Sequence, residues 1–410
     1  MRPNDRSPSP DEVGHANWSA VIAMSLCVFV LIASEFLPVS LLTPIAGDLA
    51  LTEGQAGQAI AVSGVFAVLT SLFVSYVSRD FDRKFVLMSL IGLLMLSGIV
   101  VALAPNYPVL MVGRSLLGIV IGGFWSMSTA AIMRLVPTSS VPKALAITNA
   151  GNALAGTLAA PIGSFLGSII GWRGAFFCVV PLAIAAIAWL AFTLPRMPGG
   201  SAPHVAATFK LLSRPVAATG MAAIFLLFMG QFALFTYLRP FLESVTHVDI
   251  STLSLLLLTV GIFGLIGTMF IGPILGKSLR GVLIATPALL GLIALGLSTF
   301  GHQVTVVAAL LAAWGLVTAG PVGWGVWLSR ALPDDAEVGG GLMVATIQLA
   351  ITMGATAGGA LFDRSGYQST FLLSVGILMF SSVFAHLAFR SLNAIQGEGA
   401  DGPAIHELRQ

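Results

Sequence analysis

Long apolar segments recur along this chain, and each is long enough to cross a lipid bilayer. A bilayer-spanning helix needs about 20 apolar residues. Segments of this kind cover residues 19–44, 56–77, 85–104, 108–133, 141–169, 174–195, 215–239, 250–274, 281–300, 304–329, 339–362 and 367–390. Charged residues make up 9% of the 410 residues, against about 25% in soluble domains. The sequence therefore predicts an all-α integral membrane protein with twelve transmembrane helices.

A polar stretch between the sixth and seventh segments divides the chain into two similar halves. Arg-Leu-Val-Pro at 134–137 and Arg-Ala-Leu-Pro at 330–333 follow the fourth segment of each half. Two repeated halves with a site between them at mid-membrane is a known design of secondary transporters. We predict an N-terminal segment 1–18, a six-helix half 19–195, a linker 196–214, a pseudo-symmetric six-helix half 215–390 and a tail 391–410.

The distribution of basic residues predicts the orientation of the chain. Loops on the cytoplasmic side of a membrane protein carry an excess of Lys and Arg. If both termini lie on one side, most of the 19 Lys and Arg residues fall on that side. Only Arg173, Arg239 and Arg364 fall in the opposite loops, and Arg114 lies within a segment. We predict a multi-pass protein of the bacterial inner membrane with cytoplasmic N- and C-termini.

Glu35 and Arg114 are oppositely charged residues placed inside apolar segments. A charge in the membrane is costly, so such residues mark functional sites by default. At 1.5 Å per residue, Glu35 lies roughly 13 Å from the end of its segment and Arg114 roughly 9 Å from the start of its own. The two side chains are therefore expected to meet and to couple transport to protons. The alternative is a static buried salt bridge that fixes helix packing.

Several short motifs resemble those of one transporter family. They are Arg114 with Gly118 in the fourth segment, the glycine–proline run 156–167 in the fifth, Gly171-Trp172-Arg173 before the sixth and the basic loop 80–84 after the second. The chain thereby resembles the major facilitator superfamily, in particular its twelve-span drug:proton antiporters. This resemblance implies the major facilitator fold and transport driven by a proton gradient.

Longer stretches are similar to one group within that branch. They cover residues 17–21, 35–44, 122–128, 133–137, 141–145, 230–240 and 321–324. The group is the bacterial purine ribonucleoside efflux pumps, which export inosine and guanosine in exchange for protons. The resemblance implies that purine nucleosides and protons are the partners of this chain.

A purine nucleoside would require aromatic faces for stacking and polar side chains for its edges and ribose. Aromatic and amide residues within the segments are therefore the candidate substrate contacts: Phe124, Trp125, Asn149, Asn152, Gln231, Phe232, Tyr237, Trp324 and Gln348. Polar side chains at membrane depth almost always face protein or a cavity. For each aromatic residue, packing against lipid or neighbouring helices is the alternative.

Other classes of function lack their motifs in this sequence. No glycine-rich loop precedes a Walker lysine, which disfavours ATP as the energy source, and no zinc-ligand spacing is present. We predict no enzymatic activity, no cofactor or metal, no nucleic-acid partner and a monomer in the lipid bilayer. The predicted function is proton-coupled export of purine ribonucleosides. A sugar or multidrug efflux transporter is one alternative, and a non-transporting membrane sensor or scaffold is another.

Overall fold

The computed structural model describes residues 16–198, 210–333 and 335–400. Its helices are α1 (Trp18–Asp48), α2 (Glu53–Val77), α3 (Arg83–Ala102), α4 (Tyr107–Met133), α5 (Val141–Phe177), α6 (Val179–Thr193), α7 (Pro215–Phe235), α8 (Leu238–Ser244), α9 (Ile250–Phe300), α10 (Val304–Val317), α11 (Gly323–Ala331) and α12 (Ala336–Ala400). Short 3₁₀ turns, Thr138–Ser140 and Gly320–Val322, precede α5 and α11. Most of the predicted segment 1–18 and of the linker 196–214 lies outside the described residues, as do residues 401–410 of the tail.

Three apolar helical stretches are long enough to cross the membrane twice. Within the described residues, nine stretches are long and apolar enough to span a membrane. One of them, α9, has 51 residues, or about 76 Å, against about 30 Å for the bilayer core. The three long stretches turn at single non-helical residues, Gly171, Ser278 and Gly366. The chain therefore crosses the membrane twelve times, and the all-α prediction is confirmed.

Gly171 and Gly366 make the same turn at corresponding places in the two halves. Their φ angles are 73° and 76°, and each joins the fifth crossing of its half to the sixth. A residue with a Cβ rarely adopts this left-handed conformation, whereas glycine adopts it freely. The shared turn supports the pseudo-symmetric repeat of two six-helix halves.

Two crossings are broken where the sequence predicts continuous spans. The span 215–239 ends as α7 at Phe235 before the short helix α8, and the span 304–329 ends as α10 at Val317. Proline removes a helical N–H and its ring clashes with the carbonyl four residues earlier. Pro240 and Pro321 lie near these breaks, with Pro321 four residues after the end of α10. Because the broken stretches stay apolar, hydropathy does not reveal the breaks.

The last helix is longer than the membrane crossing that was predicted. α12 continues to Ala400, whereas the predicted crossing ends at residue 390. A hydropathy pattern detects only the part of a helix that lies in lipid, and a helix can continue into water.

Each half has its own apolar core, and the halves interlock at the boundary. One core is formed by buried side chains of α1 to α6 and the other by buried side chains of α7 to α12. Ala160 of α5 belongs to the second core, and Tyr237 belongs to the first. Thr157 Oγ1 in α5 donates a hydrogen bond to Gly261 O in α9 at 3.2 Å. A methyl group at Gly261 would overlap the Thr157 main chain, so this small residue lets the two helices approach closely.

Candidate functional site

Glu35 lies near the middle of α1 and makes a hydrogen bond to the other half of the molecule. Its side chain is buried, with the residue 5% exposed. Its Oε1 accepts a hydrogen bond from Gln348 Nε2 of α12 at 3.3 Å. Gln348 is also buried, at 6% exposure. A carboxyl group and an amide from opposite halves thus meet at mid-membrane.

Arg114 contacts the main chain of α1 and α2 and does not pair with the Glu35 carboxyl group. Its Nη1 donates to Ser34 O at 2.8 Å, and its Nε donates to Ala59 O at 2.8 Å. Nη2 lies 3.2 Å from Ser63 Oγ and 3.4 Å from the main-chain oxygen of Glu35. No ion pair between Glu35 and Arg114 occurs among the described residues. Arg114 and Glu35 are close in space, as the sequence indicates. The Arg114 guanidinium, however, contacts the main-chain oxygens of Ser34 and Glu35 and not the Glu35 carboxyl group.

The prolines of α1 explain where two arginines bind. Pro38 and Pro44 lie inside α1, and each lacks the N–H that would bond the carbonyl four residues earlier. Those carbonyls belong to Ser34 and Ser40. Ser34 O accepts from Arg114 of α4, and Ser40 O accepts from Nη1 of Arg239 in α8. Each freed carbonyl is thereby satisfied by a buried guanidinium group.

An aromatic cluster lies beside Glu35. We use this term for Phe36 of α1, Phe232 and Phe235 of α7 and Trp314 of α10. The ring centroids of Phe36 lie 6.1 Å from Phe232 and 6.0 Å from Phe235. Phe232 and Phe235 are 5.9 Å apart, and Phe235 lies 6.0 Å from Trp314 in an edge-to-face arrangement. Phe36, Phe232 and Phe235 pack in one apolar cluster with Ile347, the residue before Gln348, so they lie near the Glu35–Gln348 contact. Trp314 is buried in the second core at the edge of this cluster.

Three polar atoms in this region are buried without a partner. Ser34 Oγ, Gln231 Oε1 and Gln348 Oε1 have no hydrogen-bond partner among the described residues. Buried polar groups are nearly always bonded, and an unsatisfied one calls for an explanation. Ser34 precedes Glu35, Gln231 precedes Phe232, and Gln348 contacts Glu35 directly. Gln348 Oε1 is therefore free beside Glu35 and can accept a hydrogen bond from a ligand. Ser34 and Gln231 are neighbours in sequence only, because adjacent side chains of a helix point in different directions.

Three other sequence-predicted contacts occupy positions in the cores or between the halves. Phe124 is fully buried in the core of the first half. Trp324 is buried in the second core, where its ring centroid lies 5.4 Å from that of Trp327. Tyr237 stacks on Phe362 at 5.2 Å and donates from Oη to Ala355 O at 2.8 Å. The structure does not bring these three side chains to the Glu35–Gln348 contact.

The remaining candidates lie on α4 and α5. Trp125 is half-buried and packs against the first core. Asn149 is exposed, and its Nδ2 donates to Leu145 O at 3.0 Å. Asn152 is half-buried. The structure thus brings Glu35 to Gln348 and packs Phe232 on Phe36, the residue after Glu35. Among the described residues, no hydrogen bond joins Gln231 or the α4 and α5 candidates to that contact.

The hydrogen bonds between the halves lie from mid-membrane towards one side. We call the side with Lys84, Arg134 and Lys277 the basic side, and the side with Asp48 and Asp363 the opposite side. Asp363 of α12 accepts from Thr52 Oγ1 at 2.6 Å and from Gly54 N at 2.9 Å. An acidic side chain from one half therefore caps the N-terminus of α2 in the other, an arrangement that the helix dipole favours.

Further contacts close the opposite side. Thr356 Oγ1 donates to Gln58 Oε1 at 3.3 Å, and Arg239 bonds Ser40 O across the halves. Methyl groups at Gly57 or Gly359 would overlap Tyr237 Oη, so the ring fits between α2 and α12. No hydrogen bond between the halves occurs near the basic side among the described residues. The molecule is closed on the opposite side.

Comparison with known proteins identifies the family. The family model described as Major Facilitator Superfamily matches residues 24–335. The chain belongs to the major facilitator superfamily. The predicted family and the major facilitator fold are both confirmed, and the chain is a multi-pass membrane transporter of this superfamily.

Curated relatives of this major facilitator protein carry two kinds of name. Transcription regulatory protein OpdE of Pseudomonas aeruginosa is 54% identical over 388 residues, covering 93% of this chain and 96% of its own length. Purine ribonucleoside efflux pump NepI of Salmonella typhimurium is 43% identical over 374 residues, covering 91% and 94%.

Solved structures agree with the fold. A D-xylose–proton symporter superimposes with a TM-score of 0.73 at 16% identity, covering 90% of this chain and 97% of that one. A bacterial homologue of the human lysosomal transporter Spinster, inward-facing and unoccupied, gives 0.72 at 16% identity, covering 93% and 98%. The family, with its relatives named purine ribonucleoside efflux pump, confirms the prediction that the chain is not an enzyme.

Several residues of this major facilitator site were not singled out from the sequence. Phe235 lies one helical turn after Phe232, so helical spacing is a signal for Phe235. Phe36 follows Glu35 directly, and adjacent helix residues face different directions, so its position carries no such signal. The basic-residue pattern predicts a loop at Arg239, whereas this residue lies in α8 and binds the carbonyl that Pro44 leaves free. Trp314 carries no signal that separates it from other apolar residues of α10.

Proposed function

We propose that this chain exports purine ribonucleosides such as inosine and guanosine from the cytoplasm in exchange for protons. The observation that carries the proposal is the mid-membrane contact of Glu35 with Gln348 beside the aromatic cluster. The relatives named purine ribonucleoside efflux pump, at 43% identity over 91% of this chain, support the substrate class.

The basic side is the cytoplasmic side in this proposal. The positive-inside rule favours that orientation, with both termini in the cytoplasm and the chain in the bacterial inner membrane. The contacts that close the opposite side, including Asp363 with Thr52 and Gly54, then make this conformation inward-facing. Substrate enters from the cytoplasm past α4 and α5, where Trp125, Asn149 and Asn152 are available to it.

Glu35 carries the proton. Its carboxyl group is buried, is held by one amide and has no ion-pair partner among the described residues, so it can gain and lose a proton without breaking a salt bridge. Arg114 instead holds α1 and α2 together through their carbonyls. Both halves contribute to the site within one chain, which fits a monomer.

The cycle follows from alternating access. The inward-facing protein binds nucleoside while Glu35 is ionised, and the halves then rock to open the opposite side. Substrate leaves as an external proton binds Glu35, and the return step releases that proton into the cytoplasm. The aromatic cluster stacks the purine, and the amides of Gln231 and Gln348 bind its edge.

A regulatory role is the second candidate, because the relative at 54% identity is named a transcription regulatory protein. A sensor would bind a ligand without moving it across the membrane. A sugar or multidrug transporter would move other substrates through the same fold.

Radiolabelled inosine uptake into inverted membrane vesicles distinguishes these functions. Uptake should require a vesicle lumen that is more acidic than the medium, and a protonophore should abolish it. The Glu35→Gln variant should show no uptake. Asp249→Asn is the matched control, since Asp249 is an exposed carboxyl group that caps α9 and asparagine can cap a helix equally well. Binding without uptake would favour the regulatory role, and uptake of arabinose or a cationic dye without inosine would refute the nucleoside assignment.

A further inference from the structure

We propose that the Gln348 amide reports the protonation of Glu35 to the substrate, offering a hydrogen-bond acceptor while Glu35 is ionised and a donor once it is protonated. This inference rests on the function proposed above. It makes Gln348 the residue that recognises the N1–H edge of 6-oxopurine nucleosides and that links their release to proton binding.

The geometry leaves one atom of the amide free. Gln348 Nε2 faces Glu35 Oε1 at 3.3 Å, and Gln348 Oε1 is buried without a partner among the described residues. Both residues are more than nine-tenths buried. The free Oε1 can accept a hydrogen bond, and burial makes leaving it unpaired costly.

The main chain at Gln348 is fixed, so the amide is the part able to turn. Thr352 Oγ1 lies 2.9 Å from Gln348 O and 3.2 Å from Ala61 O of α2. A methyl group at Gly64 would overlap Thr352 Oγ1, which shows how closely α12 packs on α2. The terminal amide torsion of glutamine is broad and roughly two-fold. A half-turn about that torsion exchanges Nε2 and Oε1 without moving the helix.

Proton binding changes which amide atom Glu35 requires. An ionised carboxylate only accepts hydrogen bonds, whereas a carboxylic acid donates one O–H. A proton from the external solution that binds the Glu35 carboxylate forms an O–H bond, and this O–H is donated to Gln348 Oε1. The amide then turns its NH₂ group towards the ligand. A ligand N–H that was bound to Oε1 now faces another donor and is released.

The charged groups around Glu35 do not take over this role. Those on the elements packed against α1 are Arg114 in α4, Arg239 and Glu243 in α8, Glu53 in α2, Arg83 and Lys84 in α3, Lys143 and Arg173 in α5, and Glu337, Asp363, Arg364, His386, Arg390 and Glu398 in α12. Arg114 and Arg239 bind main-chain carbonyls of α1, and the others lie towards helix ends. The amide of Gln348 is therefore the group that responds to the carboxyl proton.

The ligand class follows from the free acceptor. Hypoxanthine and guanine carry a ring N–H at N1, which can donate to Gln348 Oε1. A methyl group on N1 removes that donor and leaves the rest of the nucleoside unchanged. Inosine and 1-methylinosine are therefore the probes.

Equilibrium binding of these probes to the purified full chain in lipid nanodiscs tests the proposal. At slightly alkaline pH, still below the range in which N1 of inosine loses its own proton, the wild-type protein should bind inosine about tenfold or more tightly than 1-methylinosine, the effect expected for one buried hydrogen bond. The ratio should fall towards one at acid pH. In Gln348→Met the ratio should be near one at both pH values, and Gln348→Leu provides a second variant if that protein does not fold.

Gln58→Met is the matched control. Gln58 accepts a hydrogen bond from Thr356 across the halves but is not part of the Glu35 site, so the inosine ratio and its pH dependence should persist. If a folded Gln348→Met protein keeps both the ratio and the pH dependence, the amide role is overturned and the export function stands. If the wild-type protein neither binds nor transports inosine, the proposed function fails and this inference fails with it.

Discussion

Arg114 donates a hydrogen bond to the carbonyl of Ser34, the carbonyl that Pro38 leaves without its helical donor. The N–O distance is 2.8 Å, and Arg114 is 1% exposed. A free carbonyl inside a membrane helix must find another donor. The proline and the arginine are therefore complementary, although they lie on different helices.

The first prediction concerns this complementarity. Pro38→Ala restores an N–H for Ser34 O, so one of the bonds made by Arg114 becomes dispensable. Arg114→Met should then cost about 1 kcal/mol less in the Pro38→Ala background than in the wild-type protein. Thermal unfolding of the four purified proteins measures this coupling. The pair Pro44→Ala and Arg114→Met should be additive, because Pro44 frees a different carbonyl. If Pro38→Ala and Pro44→Ala showed the same coupling energy with Arg114→Met, Arg114 would not be the specific partner of the carbonyl that Pro38 frees.

The second prediction concerns the corresponding contact between the halves. Arg239 reaches from α8 to Ser40 O and also bonds Glu243 at 2.8 Å. Removing the Arg239 side chain leaves the Ser40 carbonyl buried and without a hydrogen bond as long as the opposite side is closed. This destabilises the closed conformation by about 1–3 kcal/mol. Arg239→Met should therefore shift the population towards conformations open on the opposite side.

Spin labels at positions 105 and 303 test this shift, because Pro105 and Gln303 are both exposed on that side. In Arg239→Met a larger fraction of molecules should show a longer distance between the two labels. The labelled background lacks Cys27 and Cys178. Arg364→Met is the control, since Arg364 is exposed on the same side, makes no hydrogen bond or ion pair with the described residues, and its loss should leave the distance distribution unchanged.

The third prediction concerns the turns at Gly171 and Gly366. Alanine at either position would hold a Cβ at positive φ with extended ψ, a region that essentially only glycine occupies, which costs about 1–3 kcal/mol. Gly171→Ala and Gly366→Ala should each lower the unfolding temperature by a similar amount, as expected for equivalent turns. Gly156→Ala is the control, because Gly156 is helical and a methyl group there meets no atom within 4 Å. A neutral effect at Gly366 alone would argue that the two turns are not equivalent.

Much of the fold was predictable because membrane crossings depend on apolar length, which the sequence displays directly. The breaks after Phe235 and Val317 were not predicted, because proline changes backbone bonding without changing hydropathy. The expected Glu35–Arg114 ion pair followed from attraction between opposite charges. The structure instead directs the guanidinium to carbonyls, one of them freed by Pro38, and leaves the carboxyl group to an amide from the other half. Contacts between distant segments, such as Gln348 with Glu35, depend on how the halves dock and carry no local signal.

The fourth prediction separates the aromatic cluster from the aromatic residues of the cores. If the purine stacks in the cluster, Phe36→Ala should weaken inosine binding by about 1–3 kcal/mol, the range measured for base–aromatic stacking in single-strand binding. Trp324→Phe should leave inosine affinity unchanged and should lower thermal stability, because Trp324 packs on Trp327 in the second core. Binding isotherms and unfolding curves on the same protein preparations give both quantities. Loss of inosine affinity in Trp324→Phe together with wild-type affinity in Phe36→Ala would move the stacking site away from Glu35, and the substrate would then have to act on the carboxyl group through a change in helix packing.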